Sequence, residues 1–258
     1  MNREKITLLF LVIMVVILNY SFIDSFLIKS FDNSEYGIVE RVIDGDTLVI
    51  NGTSVRLLGI NSPEKGEKYS LESTKFLEEK VLGKEVKLVF GKEKYDLYKR
   101  KLAYVFIGSQ NVNLESVKNG HSNFYFPSGK DVNSEIFKKA WNSCLEKKIN
   151  LCEMSKDFCS SCIELKELNQ KEDKFILYNK CAFGCSLTNW EIKDEGRKKF
   201  IFGNFTLKSF KEVEIKTGEG NNGESLFFWK GEKYVWTKSG DTLFLRDPLK
   251  KLILWKNY

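Results

Sequence analysis

At 258 residues the chain has room for two ordinary domains. Its 42% hydrophobic and 14% aromatic content, with only three prolines, excludes a wholly disordered polymer. The net charge of +6 suits a polyanionic partner without requiring one. The first element in chain order is apolar: after Arg3 and Lys5 no charge occurs from Ile6 to Tyr20, and Asp24 is the next one. An apolar helix of about 20 residues crosses a bilayer core. No small-x-small cleavage site follows the run. The expectation is therefore an uncleaved single-pass membrane anchor and spacer over residues 1–34, with a secretory signal peptide, and hence a secreted form, as the alternative. Arg3 and Lys5 place the N-terminus in the cytoplasm and the rest outside.

Strands follow. "GIVERVID" and "DTLVING" cluster β-branched residues and end in the turn pair Asn51-Gly52, and "TSVRLLGI" pairs back. "KYSLESTKFLEEKVLG" carries apolar residues at helical spacing and closes on Gly83. "KEVKLVF" and "RKLAYVFIG" are two further strands. "NVNLESVKNG" is a helix with Asn113 as its candidate cap, and "NSEIFKKAWNSCLEKK" is a strongly amphipathic last helix. The order predicts a five-stranded Greek-key barrel with helices packed on it, spanning 35–152.

All six cysteines lie beyond residue 143: Cys144, Cys152, Cys159, Cys162, Cys181 and Cys185. Their even number, beside an export segment, reads as disulfides near the domain junction that fix one half against the other. The alternative is a Zn2+ site made by Cys159, Cys162, Cys181 and Cys185. After a cysteine-containing linker over 153–161, short strands recur at regular spacing from "CIELKELN" to "DTLFLRD". That is the pattern of an all-β sandwich over 162–258.

The chemistry gathers around the first of two Gly-Asp-Thr-Leu segments. Outward from Asp46 come Arg56, then "INSPE" with Glu64, then "DLYKRKLAY" with Tyr98 and Arg100. Phosphodiester cleavage needs these parts: oxygen ligands for a hard cation, a carboxylate for the attacking water, and arginine forks for the phosphoryl oxygens. The single histidine, His121, excludes a histidine-pair mechanism. Each residue alone has a plainer reading; Asp44-Gly45-Asp46 is a common turn, and a lone arginine is usually a surface cation.

Taken in order, "VIDGDTLVI…VRLLGINSPE…DLYKRKLAYVF…NVNLESVKNGHSNFYF" resembles the staphylococcal nuclease (thermonuclease) family over about 36–150. The resemblance implies an OB-type barrel and Ca2+-dependent hydrolysis of DNA and RNA. It implies that Asp46, Asn61 and the backbone carbonyl of Ser62 are calcium ligands. By the same resemblance Arg56 and Arg100 bind the scissile phosphate, Glu64 serves the attacking water, and Tyr98 and Tyr125 line the nucleotide pocket. Two positions depart from the family pattern. Asn61 stands where aspartate is usual, which removes one charge from the cation's shell. Lys99 replaces a glycine, adding positive charge on the substrate side and asking for a different local backbone.

The second Gly-Asp-Thr-Leu, in "VWTKSGDTLFLRD", has no such set around it. Ser239-Gly240-Asp241 reads as a hairpin turn between "KYVW" and "TLFLRD". This half resembles the lamin tail domain, an immunoglobulin-like sandwich, through Trp190, Trp236, Gly240 and Asp241, with Asn189 where glycine is usual. Its tryptophans are expected in the core, and its own partner is not legible. The leading expectation is a membrane-anchored extracellular nuclease. The alternatives are a non-catalytic nucleic-acid-binding module and an envelope scaffold or adhesin.

Overall fold

The hairpin pair Asn51-Gly52 shows how local chemistry starts this fold. Both residues take left-handed backbone, with φ of 49° and 68°, and join Ile50 directly to Thr53. Two left-handed residues in a two-residue loop match the twist of the strands they connect. The computed structural model describes residues 34–258 except 128 and 130, together with 5, 13–15 and 17–19. The expected membrane anchor lies largely outside these residues, and among the described residues no helix is long and apolar enough to cross a membrane. The fold described below is that of Tyr36–Tyr258, which form one unit.

The first half contains strands β1 (Ser34–Asp44), β2 (Thr47–Ile50), β3 (Thr53–Leu57) and β4 (Ile60–Asn61), followed by helix α1 (Ser70–Val81). Then come β5 (Glu85–Tyr95), β6 (Lys101–Ile107), β7 (Gln110–Asn111), α2 (Val112–Lys118), β8 (Asn123–Phe124) and α3 (Ser134–Lys147). The sheet order is β3-β2-β1-β5-β6-β7, and a parallel pairing of β3 with β6 closes five of these strands into a barrel. Closure removes the open edges that a small sheet would otherwise expose. Leu48, Val55, Leu57, Leu88, Ala103 and Val105 fill the interior.

Helix α2 differs from expectation in one detail. Asn111 is its cap, accepting from the Leu114 N–H, whereas Asn113 is fully buried. Asn113 accepts from the Val105 N–H and donates to the carbonyls of Leu58 and Ala103, stitching the helix to the barrel. A fully satisfied buried amide of this kind fixes a register that apolar packing alone leaves loose.

The second half is all β. One sheet runs β16-β15-β10-β9, from Leu226–Trp229, Glu212–Thr217, Lys174–Asn179 and Ile163–Asn169. The other runs β13-β12-β17-β18, from Lys199–Ile201, Glu191–Lys193, Thr242–Arg246 and Leu252–Asn257. A small pair, β11 (Cys185–Ser186) with β14 (Thr206–Leu207), completes it. Phe175, Leu177, Val213 and Ile215 of one sheet share a core with Ile192, Leu243 and Leu245 of the other. Trp190 and Trp236 are buried in it, as expected. Asn189 takes the left-handed conformation, φ 64°, that glycine would otherwise supply.

Two expectations fail here. "KYVW" is no strand, so Ser239-Gly240-Asp241 is not a hairpin turn; β17 pairs instead with β12 and β18. The last strand, β18, comes from "LILWKN", a run the sequence reading passed over. It matters because β17 and β18 belong partly to the barrel. Phe244 and Trp255 stand edge-on to Trp141 of α3, at centroid distances of 5.4 and 6.3 Å, and Leu252 lies in the same cluster. Residues 153–155 also pair along β18: Leu252 donates to the Glu153 carbonyl and Ser155 donates to the Leu252 carbonyl.

All six cysteines are bridged, as Cys144–Cys152, Cys159–Cys185 and Cys162–Cys181. The four cysteines of the zinc alternative are therefore consumed in two disulfides, and no group of three or more metal-binding side chains occurs among the described residues. The bridges do not join the halves, contrary to expectation. Cys144 and Cys152 sit in the barrel's cluster, whereas Cys159, Cys162 and Cys185 sit in the sandwich's. The halves are held together by the aromatic packing on Trp141 and by several polar contacts, among them Lys193 and Lys199 with Glu67, Arg246 with the Leu151 carbonyl, and a cluster at the candidate site.

Candidate active site

Asp46 lies in the tight turn between β1 and β2, where Asp44 accepts the Asp46 N–H at 3.0 Å. Gly45 is required there by space, because a Cβ would stand 2.6 Å from the Ser73 Cβ and 2.7 Å from that of Ser62. The buried Asp46 carboxylate is fully engaged. Ser62 donates its backbone N–H (2.7 Å) and hydroxyl (3.0 Å) to Oδ2. Arg56 Nε (3.2 Å) and the Thr47 hydroxyl (3.1 Å) approach Oδ1.

Arg56, on β3, is buried as well. Its Nη1 donates to the carbonyls of Leu57 and Ile60, at 2.8 and 2.9 Å, and Nη2 donates to Asn61 Oδ1 at 3.2 Å. A buried guanidinium without such partners would be strongly destabilising. The four residues Asp46, Arg56, Asn61 and Ser62, read from three separate sequence segments, thus form one network.

Arg100 is placed by a turn that sequence reasoning missed. Asp96 Oδ1 accepts the N–H groups of Tyr98 and Arg100, and Oδ2 accepts Arg100 Nε at 2.7 Å. The signal was present as an aspartate two residues before Tyr98, since aspartate favours such backbone-bonded turns. Lys99, which stands where the family has glycine, takes the left-handed conformation that glycine favours, with φ 63°. Tyr98 is exposed and lies 5.5 Å from the Arg100 guanidinium. A cleft of about 550 Å³ is lined by Arg56, Asn61, Tyr98, Arg100 and Tyr125 from the barrel half.

The same cleft is lined by Gly196 and Arg197, which belong to the sandwich. The turn between β12 and β13 reaches across. Asn61 donates to the carbonyls of Gly196 (2.9 Å) and Glu195 (3.4 Å), and Asn123 donates to Glu195 at 2.9 Å. Glu195 in turn accepts from the Phe126 N–H and the Thr242 hydroxyl. Arg197 Nε lies 2.7 Å from a carboxylate oxygen of Glu64. Asp241, from the second Gly-Asp-Thr-Leu, is buried and accepts the N–H groups of Glu195, Thr237 and Thr242. The two repeats therefore meet: one forms the site and the other braces the turn that docks on it.

Burial, with the Asp241 carboxylate next in importance, pushes the Glu195 carboxyl up to about 8 and that of Asp194 up to about 7. The folded protein thus holds protons that the unfolded chain releases near pH 4 to 4.5. Stability contributed by these protons is full below that range and is lost as pH rises to about 8. Glu195→Gln is expected to flatten this decline, so that its melting temperature falls less than wild type's between pH 5.5 and 9. Parallel curves would remove Glu195 as the cause.

A hard cation such as calcium is matched in kind by these donors, which are oxygen only: the Asp46 carboxylate and the amide oxygen of Asn61. The set is short of charge, because Asn61 brings none and Asp46 already faces Arg56.

Residues 54–153 match the family model described as "Staphylococcal nuclease homologue". The thermonuclease of Staphylococcus intermedius is 30% identical over 166 residues, covering 58% of this chain and 99% of that protein. The thermonuclease of Staphylococcus hyicus is 32% identical over 104 residues, covering 36% of this chain and 62% of that protein. Endonuclease YhcR of Bacillus subtilis (strain 168) is 33% identical over 108 residues, covering 35% of this chain and 9% of that protein. Barrel, cleft and relatives define a nuclease-type protein. The chain belongs to the staphylococcal nuclease homologue family.

Proposed function

We propose that the protein is a membrane-anchored, extracellular, calcium-dependent nuclease that hydrolyses DNA and RNA with little sequence preference. The reading rests on one observation above others: Asp46, Arg56, Asn61 and Ser62 form a single buried network at a cleft flanked by Arg100 and two tyrosines. In this reading the nuclease domain spans 35–152 and a lamin-tail-like domain spans 162–258. Three disulfides support an oxidising location, and the apolar run after Lys5 supports the anchor.

Arg56 and Arg100 hold the phosphoryl oxygens and stabilise charge developing there. Glu64 takes the proton of the attacking water as the new P–O bond forms and the bond to the leaving oxygen breaks. Tyr98 and Tyr125 offer aromatic faces to the bases, which tolerates any sequence. Lys99 adds positive charge beside the strand. Asp46, Asn61 and Ser62 would hold calcium, which supplies neutralising charge at the phosphate when bound.

The test is cleavage of labelled DNA and RNA by the purified protein with calcium and with a chelator. Activity unaffected by the chelator would overturn the metal dependence, and no cleavage under either condition would overturn the nuclease reading. Asn61→Asp gives a finer check. It adds the charge that the cation shell lacks, so half-maximal activity should need less calcium. It also removes the donor to the Gly196 carbonyl, while Asn123 still satisfies Glu195. An unsatisfied buried acceptor costs about 1–3 kcal/mol, so the variant should melt earlier. An unchanged calcium requirement would mean that this position does not touch the ion.

A further inference from the structure

The turn between β12 and β13 has an uneven surface. Asp194, Glu195 and Gly196 are buried, while the Arg197 side chain is 67% exposed and faces the cleft. Its base is fixed from every side. Lys198 donates its N–H to Asp194 Oδ1, Asp241 accepts the Glu195 N–H, and Asn61 and Asn123 hold the carbonyls. A rigid turn that ends in one exposed arginine presents a cation at a defined place, with little of its backbone entropy left to lose on binding.

The arginines of the cleft differ in what they have left to offer. Arg56 places its Nε and three further N–H groups against Asp46, two carbonyls and Asn61. Of the five donors of a guanidinium, one remains. Among the described residues Arg100 hydrogen-bonds through its Nε, to Asp96, and its terminal nitrogens meet no acceptor. Arg197 sets its Nε 2.7 Å from a Glu64 oxygen as an ion pair, and among the described residues its two terminal nitrogens meet no acceptor. A planar fork can hold a carboxylate at Nε and a phosphate along its terminal edge at once. The contact with Glu64 therefore orients Arg197 and leaves its phosphate-binding edge open.

We propose that Arg197 binds a phosphate of the nucleic-acid strand, so that the C-terminal half supplies a substrate-binding residue to the cleft of the barrel. The proposal rests on the phosphodiesterase reading of the same site. It assigns a working part of the site to a segment about 100 residues beyond Arg100, outside the stretch matched by the family model.

The experiment uses the full chain and the variants Arg197→Met and Arg197→Lys. Initial rates are measured on single-stranded DNA at several salt concentrations, and binding of a fluorescent single strand is measured separately in chelator. Arg197→Met is expected to raise KM and weaken binding by about 10-fold or more, a loss in the range of one charge-assisted contact. The slope of log affinity against log salt should become shallower by about 0.7, the value for one lost phosphate contact on a single strand. Arg197→Lys should keep the slope and recover part of the affinity. Unchanged KM, binding and slope would overturn the proposal, as would faster turnover by Arg197→Met, which would make Arg197 a brake on Glu64. If wild type binds strands through Arg197 yet cleaves none, the phosphate-binding assignment stands and the nuclease reading falls. If it neither binds nor cleaves, both fall.

Discussion

Glu64→Gln is expected to lower turnover by roughly 10²–10⁴-fold, the usual contribution of a positioned general base. Glutamine preserves the shape of the side chain and removes its ability to accept a proton from water. The side chain is half-exposed and, among the described residues, its polar partner is Arg197, so the fold should survive. Melting temperature within a few degrees of wild type would establish that. The loss should appear in kcat on DNA and RNA alike, because the proton belongs to the attacking water and not to the base or sugar. A variant that keeps turnover within about threefold of wild type would remove Glu64 from the role of base.

Reduction is expected to destabilise the sandwich more than the barrel. Cys162–Cys181 and Cys159–Cys185 close sequence separations of 19 and 26, whereas Cys144–Cys152 closes 8. In the chain-entropy account each of the two longer loops contributes roughly 3 kcal/mol, and the short one less. A loss of that size lowers the melting temperature of a domain of 150–250 residues by roughly 6–12 °C. Cys162→Ala with Cys181→Ala should therefore melt well below wild type, with Cys144→Ala and Cys152→Ala closer to it. No free thiol should react in the unreduced, unfolded protein. Thiols that react there, or melts that ignore reductant, would overturn the pairing.

The site was legible because its parts are ordered along one barrel. Asp46, Arg56, Glu64 and Arg100 each sit at a strand end or turn whose chemistry is local: a glycine that admits close approach, a short hairpin, a left-handed residue. Asp96 was equally local and was passed over because its role is to hold other groups. The turn at 194–198 was a different case. "DEGRK" announces a turn by composition alone, and nothing in its neighbourhood says that Asn61 awaits its carbonyls some 130 residues upstream. Asn61 shows the same limit from the other side. Read beside its neighbours it is a weakened metal ligand; in the fold its amide is a docking donor, a role aspartate could not fill. The cysteine pairing was beyond reach for a combinatorial reason, since six cysteines allow about fifteen arrangements. "LILWKN" was missed because a single apolar run at a segment's end carries no partner information; it pairs with β17, and its Trp255 also packs on a helix of the other half.

Trp141 lies against Phe244 and Trp255. On the ribosome the barrel emerges first, and this face of α3 has no cover until about 100 further residues have been made. At about 5–20 residues per second that interval is roughly 5–20 s. During it the nascent chain carries an apolar helix face that attracts chaperones, and the cleft lacks the turn that completes it. The barrel's outer face and its cleft therefore take their final form only once the β12–β13 turn and strands β17 and β18 have been made, so the second half completes the folding of the first.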